Sequence, residues 1–303
     1  MAVIDISNTA IYLVCNEDVR LMTLLVSSLF SKGAANIHLL ISDQQAQYFE
    51  RDELIGVNII KGTWEETADF EPVIANAVIV ISMLYHDFEK QQKLFSACVR
   101  QNVILFVTWD SGMELDHLVR DHSCPRTQLH QRLLEYTSQT ADRIHPYFIP
   151  PRSSASYHFP HLPADKMQWI LFQVGIFDDE VLKHDISTVT TAFNSPNQFI
   201  FINVSVKSDF ADIVAATIVN KRARPNRNYV VGEFVSHAFL GHVYKVINQD
   251  LEYDSTMPCE ITEFETTNQL RISEISFQHG AIIYKMLANH RRVTLREWVL
   301  QKI

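Results

Sequence analysis

Short apolar runs alternate with amphipathic segments through the first half of the chain. The runs are rich in Val, Ile and Leu at consecutive positions, as expected of strands that are covered on both faces. They span residues 11–15, 37–42, 57–61, 77–83 and 103–108. Between them, apolar residues recur at helical spacing, as Leu21, Leu24 and Leu25 do. Strands that alternate with helices at this interval predict right-handed βαβ units and an α/β fold with a parallel, doubly wound sheet.

The second half of the chain is less regular. A helix is predicted at about residues 126–137, and residues 143–163 then hold five of the ten prolines, which excludes regular structure there. Further elements are predicted as strands at 167–177, 199–204 and 228–232, and as helices at 209–219, 236–247 and 294–302. We therefore expect a Rossmann-like core over residues 1–145. Residues 146–303 are expected to supply the remaining sheet strands and a smaller C-terminal α/β substrate or partner lobe, all in one compact unit.

Composition excludes several classes of function. The net charge of -9 and the pI near 5.8 disfavour nucleic acid and anionic membranes as partners. No stretch reaches the ~18 apolar residues that a membrane span needs. The four cysteines are widely spaced, which indicates neither a zinc cluster nor a disulfide framework. A cytoplasmic location is expected, with the nucleus as the alternative because residues 221–227 form a short basic run.

The connection between the first strand and the first helix contains no glycine. Residues 15–18 read Cys-Asn-Glu-Asp, where dinucleotide enzymes use glycines so that backbone N–H groups and a helix N-terminus can meet the pyrophosphate. Acids at this place are predicted to cap the helix and complement its dipole. A capping acid would already occupy the positive helix end that a phosphate would use.

The order of segments along the chain resembles the NmrA-like family of atypical short-chain dehydrogenase/reductase folds. The similarity lies in GVNIIKGTWEETADFEPVIANAVIVISML at 56–84, QQKLFSACVRQNVILFVTWDSG at 91–112, MQWILFQVGIFDDEVL at 167–182, VSVKSDFADIVAATIVN at 204–220 and RRVTLREWVLQ at 291–301. No single segment is specific, but their order and spacing together are. The resemblance implies a Rossmann-like fold over almost the whole chain.

The resemblance also implies a cofactor site whose residues have been replaced. Cys15, Asp18 and Leu21 stand at the three glycine positions of the family pattern, and each replacement opposes dinucleotide binding. After the second strand the chain offers no arginine for a 2′-phosphate, although Asp43 could hold a pair of ribose hydroxyls. We therefore expect no cofactor, with NAD or NADP as the alternative.

Catalytic residues of the wider superfamily are also missing. None of the ten tyrosines is followed by a lysine four positions later, and the helix after the fifth strand, where NmrA-like reductases carry a lysine, has none. His130 on that helix is the candidate acid or base, since the pKa of histidine suits proton transfer. Asp110, near the end of the fifth strand, is the second candidate.

Three hypotheses about function follow. The first is a protein that has lost NAD(P)-dependent redox activity and binds an apolar small molecule, as in a cofactor-independent isomerase or cyclase. The alternatives are an NmrA-type regulator that acts through a protein partner or homodimer, and an NAD(P)H-dependent reductase with an atypical cofactor loop. No metal site is expected, because His158 and His161 are separated by a proline within a loop, and His237 and His242 have the wrong spacing for one helix face. The predicted ligand-binding residues are Ser82, Met83, Trp109, Ser111, Tyr147, Tyr157 and Phe177.

Overall fold

The computed structural model describes a large part of the chain. The described residues are 6–15, 18–49, 54–84, 87–111, 128–129, 132–133, 135–136, 166–179, 201–219, 227–247 and 295–301. The strands are β1 Ala10–Val14, β2 Asn36–Ile41, β3 Asn58–Lys61, β4 Ile79–Ser82, β5 Leu105–Ser111, β6 Gln168–Val174, β7 Ile176–Phe177, β8 Phe201–Ser205, β9 Arg227–Val231 and β10 Glu233–Ser236. The helices are α1 Val19–Ser31, α2 Asp43–Phe49, α3 Thr67–Ile74, α4 Phe88–Arg100, α5 Lys207–Val219, α6 His237–Ile247 and α7 Leu295–Leu300. The five strands predicted in the first half are confirmed to within three residues at each end.

The larger sheet has seven strands in the order β3-β2-β1-β4-β5-β6-β9. β1 is parallel to β2 on one side and to β4 on the other, and the pairs β2–β3 and β4–β5 are also parallel. After β1, the chain thus forms β2 and β3 on one side of that strand and then β4, β5 and β6 on its other side. This order confirms the predicted doubly wound, Rossmann-like α/β fold, in which ligands bind beyond the carboxyl ends of the strands near the reversal.

Apolar side chains are buried on both faces of the larger sheet. Ile11 and Leu13 of β1 are fully buried, and so is Val14, whose side chain points to the opposite face of the strand. On that opposite face, residues of β1, β2, β4 and β5 form one apolar cluster with residues of α3 and α4, including Phe70, Leu94 and Phe95. Burial on both faces explains why these strands read as continuous apolar runs in the sequence.

The second sheet has three strands in the order β10-β8-β7. β8 is antiparallel to β10 and parallel to β7. The single strand predicted over residues 167–177 is divided between the two sheets, because Gly175 separates β6 from β7. The Gly175 N–H donates to Ser205 Oγ at 3.0 Å instead of continuing the ladder of β6.

The chain divides into two compact units. The first contains the elements from β1 to Phe172 of β6, with the part of α5 from Ala211 onward and the start of β9. The second contains β7, β8, the first turn of α5, β10, α6 and α7. The predicted division between residues 145 and 146 lies outside the described residues. Within the described ranges, no helix is long and apolar enough to cross a membrane.

Candidate functional site

The turn from β1 into α1 is held by the chain's own groups. Asp18 is the N-cap of α1, and its Oδ1 accepts a hydrogen bond from the Leu21 N–H at 3.0 Å. The prediction that an acid caps this helix is confirmed for Asp18, whereas Asn16 and Glu17 lie outside the described residues. An N-terminal N–H that would be offered to an anion is therefore already bonded to a carboxylate.

The other two positions at this turn are filled by buried side chains. Leu21 is fully buried and Cys15 nearly so, and the Cys15 N–H donates to Leu40 O at 3.0 Å. Burial, and secondarily the negative charge of Asp18, raise the pKa of the Cys15 thiol well above its usual range. Cys15 therefore stays a neutral thiol at physiological pH and is unsuited to nucleophilic chemistry.

The carboxyl ends of β2 and β3 are joined by Trp64. Its indole Nε1 donates to Ile41 O at 2.7 Å, and the Gly62 N–H donates to the same oxygen at 3.1 Å. Both lone pairs of the last carbonyl of β2 are thus used. The indole packs against Phe70, with ring centroids 5.8 Å apart, and belongs to the apolar cluster on this face. This role of Trp64 was not predicted from the sequence. No local pattern reveals it, because the carbonyl that Trp64 bonds lies 23 residues away.

Asp43 is the exposed first residue of α2. The preceding Ser42 and Gln45 form a reciprocal cap. Gln45 N–H donates to Ser42 Oγ at 3.2 Å, and Ser42 N–H donates to Gln45 Oε1 at 2.8 Å. Because Ser42 caps the helix, the Asp43 carboxylate is not needed for that purpose. Its predicted contact with ribose hydroxyls stays a prediction.

The exits of β4 and β5 are joined by Gln91 of α4. Its Nε2 donates to Leu84 O at 2.5 Å and, at 3.5 Å, to Trp109 O, while its Oε1 accepts a short hydrogen bond from Thr108 Oγ1. The predicted ligand-binding residues at these exits, Ser82, Met83 and Trp109, are all buried. Gln91 was also missed from the sequence, although a glutamine in the apolar stripe of α4 is a signal that could have drawn attention to it.

In the second unit, Phe177 is buried beside an ion pair. Its ring lies 5.8 Å from that of Phe210, and Lys207 Nζ lies 5.4 Å from its centroid. Lys207 Nζ pairs with Asp179 Oδ2 at 2.6 Å, and the backbone N–H of Lys207 donates to Asp178 Oδ1 at 2.8 Å. Phe177 therefore adjoins charged groups as well as apolar ones. No local sequence pattern indicates this ion pair, because its two residues lie 28 positions apart.

The remaining predicted site residues are not tested by the structure. His130, Tyr147 and Tyr157 lie outside the described residues, and the side chains of Asp110 and Ser111 are not described, although both residues belong to β5. Among the side chains that the structure does describe, no group of three or more His, Cys, Asp or Glu residues could hold a metal ion. The roles predicted for these residues stay predictions.

Comparison with known proteins finds likeness in structure but not in sequence. No protein-family model matches the chain, and no curated protein matches it. A nucleoside-diphosphate-sugar epimerase from Staphylococcus aureus aligns with a TM-score of 0.60 and 12% identity, over 96% of this chain and 99% of that one. The triphenylmethane reductase of Citrobacter sp., complexed with NADP(H), aligns with a TM-score of 0.56 and 12% identity, over 97% and 100%.

A further solved structure with this fold is an NADPH-dependent quinone oxidoreductase from Escherichia coli. It aligns with a TM-score of 0.55 and 12% identity, over 96% of this chain and 98% of that one. Such low identity supports an inference about fold and none about activity. The chain therefore shares the Rossmann-like α/β fold of these solved structures.

Proposed function

We propose that this chain is an NmrA-like protein that works without NAD(P) and binds an apolar small molecule. The chemistry that suits such a site is a cofactor-independent isomerisation or cyclisation, which needs an enclosing apolar surface and few polar groups. The observation that carries the proposal is the hydrogen bond from the Leu21 N–H to the Asp18 carboxylate.

The Asp18 carboxylate opposes a dinucleotide in two ways. It occupies one N–H of the first turn of α1, and it places a negative charge where a pyrophosphate would lie. A carboxylate ~4–5 Å from a phosphate charge costs about 3–4 kcal/mol at an effective dielectric constant near 20. Micromolar binding is worth only about 8 kcal/mol in total. A dinucleotide bound in the usual way would therefore lose much of its affinity.

The apolar character of the ligand is inferred from the residues at the strand ends. Cys15 follows β1, Met83 and Leu84 follow β4, and Trp109 lies in the second half of β5, and none of the four carries a charge. Their burial means that a ligand reaching them would be largely enclosed. An enclosed, uncharged surface favours an apolar ligand over a phosphorylated one.

Isothermal titration calorimetry with NAD⁺, NADH, NADP⁺ and NADPH tests the loss of the cofactor. We expect no binding of any of the four at submillimolar concentration, and clear micromolar binding would overturn the proposal. Native mass spectrometry of the purified chain tests the ligand class, and we expect a co-purifying uncharged molecule. A phosphorylated molecule in the same spectrum would contradict the apolar ligand.

A reductase that uses NAD(P)H through an atypical first turn is the second candidate. It is favoured by the likeness to solved structures that contain NADP(H) or NADH. It is also favoured by the exposure of Asp43, whose carboxylate could accept from ribose hydroxyls without leaving α2 uncapped. Micromolar binding that an Asp43→Ala substitution abolishes would support this candidate over the first.

A further inference from the structure

Gln91 is a polar residue at a core position of α4. It lies one turn before Leu94 and Phe95, both of which pack into the apolar cluster on the sheet, and it is fully buried itself. An apolar side chain would be expected there from helical periodicity. Burying an amide without hydrogen bonds is unfavourable, so the hydrogen bonds of Gln91 are the reason that it can occupy this place.

The bonds of Gln91 begin where the backbone ladder between β4 and β5 ends. The register of these strands runs from Ile79 opposite Leu105 to Ile81 opposite Val107. Directly beyond it, the Gln91 side chain joins Leu84 O to Thr108 Oγ1 and Trp109 O. Gln91 therefore continues the connection between the two strands with a side chain.

This arrangement fixes the backbone on both sides of Met83. The Met83 N–H donates to Val14 O of β1 at 2.8 Å, and the carbonyl of the next residue, Leu84, accepts from Gln91 Nε2. On β5, Gln91 bonds Thr108 and the backbone of Trp109. Both Gln91 and Thr108 are essentially inaccessible to solvent, and a buried, fully bonded polar network holds a single arrangement more strictly than apolar packing does.

We propose that Gln91 and Thr108 are positioning residues that hold Met83 and Trp109 in one fixed arrangement for the ligand. The ligand contact of Met83 and Trp109 rests on the proposed function, whereas the positioning itself does not. The pair gives the site a rigid support within the sheet, as a preorganised binding site requires.

Fluorine NMR of 5-fluorotryptophan-labelled protein tests the positioning without any ligand. The chain has four tryptophans, and a Trp109→Phe variant assigns the Trp109 resonance. Thr108→Val keeps the shape of the side chain and removes the hydroxyl, while Thr108→Ser keeps the hydroxyl and serves as the control. We expect Thr108→Ser to match the natural protein and Thr108→Val to split the Trp109 resonance or broaden it roughly twofold through exchange between conformations.

The spectra are compared at one temperature, well below the unfolding midpoint of every variant. If Thr108→Val lowers that midpoint and leaves the Trp109 resonance unchanged, the pair only stabilises the fold and the proposal is wrong. Gln91→Met, which keeps the side-chain length and removes the amide, gives the same test if Thr108→Val does not fold. Because no ligand is present, this result is independent of the dinucleotide titration, and either proposal can fail alone.

Discussion

Asp18 caps α1 and bonds a backbone N–H of the first turn that an anion would otherwise use. The side chain lies three residues before its partner, so both the cap and its consequence follow from local sequence. Replacing a capping Asp by Ala typically costs about 1 kcal/mol. An acid that caps a helix stabilises the fold whether or not a phosphate binds there. The stability of α1 is therefore a sufficient reason for Asp18 at this position. The buried side chains of Cys15 and Leu21 at the same turn add to the support that the cap gives to the proposed loss of the cofactor.

His38 is the residue for which the structure predicts a pH dependence of stability. Its Nε2 lies 2.9 Å from Asn36 Oδ1, and its Nδ1 lies 2.9 Å from Asn58 Nδ2, so the neutral ring with its proton on Nε2 satisfies both partners. The ring also stacks on Tyr12, with centroids 4.3 Å apart. Burial lowers the pKa of His38. In the pH range between the folded pKa and the unfolded pKa of about 6.5, the unfolded chain therefore binds more protons than the folded chain does.

We expect the contribution of His38 to stability to be present above pH ~6.5 and to be lost as the pH falls through the folded pKa. Urea unfolding of the natural protein and of His38→Gln between about pH 5 and 8 measures it. The other twelve histidines titrate in both proteins, so the difference between the two curves isolates His38. The natural protein should lose more stability on acidification than the variant does. Parallel curves would show that His38 does not respond as the structure implies.

The residues that sequence reasoning missed at the site share one physical property. Trp64 and Gln91 make their hydrogen bonds to backbone carbonyls or side chains between 7 and 23 residues away. The pairing of β2 with β3 brings Ile41 close to Trp64, and the pairing of β4 with β5 brings Thr108 close to Gln91. A cap such as Asp18 is encoded within one helical turn and could be predicted, whereas a bond across strand ends could not.

The same distinction holds for whole elements. The strands of the first unit were predictable because burial on both faces leaves a continuous apolar signal. α5 begins at Lys207, two residues before its predicted start, because Asp178 accepts the Lys207 N–H from 29 residues away. The division of residues 167–177 into β6 and β7 likewise depends on the bond between Gly175 and Ser205. Element type followed from local pattern, and these two boundaries depended on tertiary contacts.

In the connection from β3 to α3, we expect substitutions at Gly62 and Trp64 to have coupled effects on the free energy of unfolding. A Cβ at Gly62 would lie 2.9 Å from Cζ2 of the Trp64 ring, which is closer than real contacts allow. Gly62→Ala should therefore lower the free energy of unfolding by about 1–3 kcal/mol. In a Trp64→Leu background the crowding is removed, so the cost of Gly62→Ala should fall to a small fraction of that value.

Urea unfolding of the four proteins of this double-mutant cycle gives the coupling. Gly33→Ala is the matched control. Gly33 has a φ of +93° and open space around its Cβ position, so alanine there is strained by the backbone and not by Trp64. Its cost should be equal in both backgrounds. Equal costs of Gly62→Ala in the two backgrounds would contradict the contact with the indole.

At the scale of the whole molecule, the fold and the first turn of α1 lead to different expectations about dinucleotide binding. The sheet order and the likeness to solved structures show a fold in which ligands bind beyond the carboxyl ends of the strands. In the function proposed above, three side chains at the first turn of α1, those of Cys15, Asp18 and Leu21, oppose the binding of a dinucleotide. If these side chains alone prevent binding, the rest of the scaffold should still accept a dinucleotide once the turn is repaired. If other parts of the site have also changed, repair of the turn should have no effect.

Cys15→Gly combined with Asp18→Gly distinguishes these cases. Leu21 is left unchanged, because removing a fully buried leucine side chain costs about 2–5 kcal/mol and would endanger folding. Removal of the Asp18 charge and of the Cys15 side chain should strengthen NADP⁺ or NAD⁺ binding by at least about tenfold, which corresponds to about 1.4 kcal/mol, as measured by isothermal titration. Asp18→Asn is the control, since it keeps a capping side chain and removes only the charge, and it should give part of the gain. A folded double variant whose affinity is unchanged would show that neither Cys15 nor Asp18 is the obstacle to the dinucleotide.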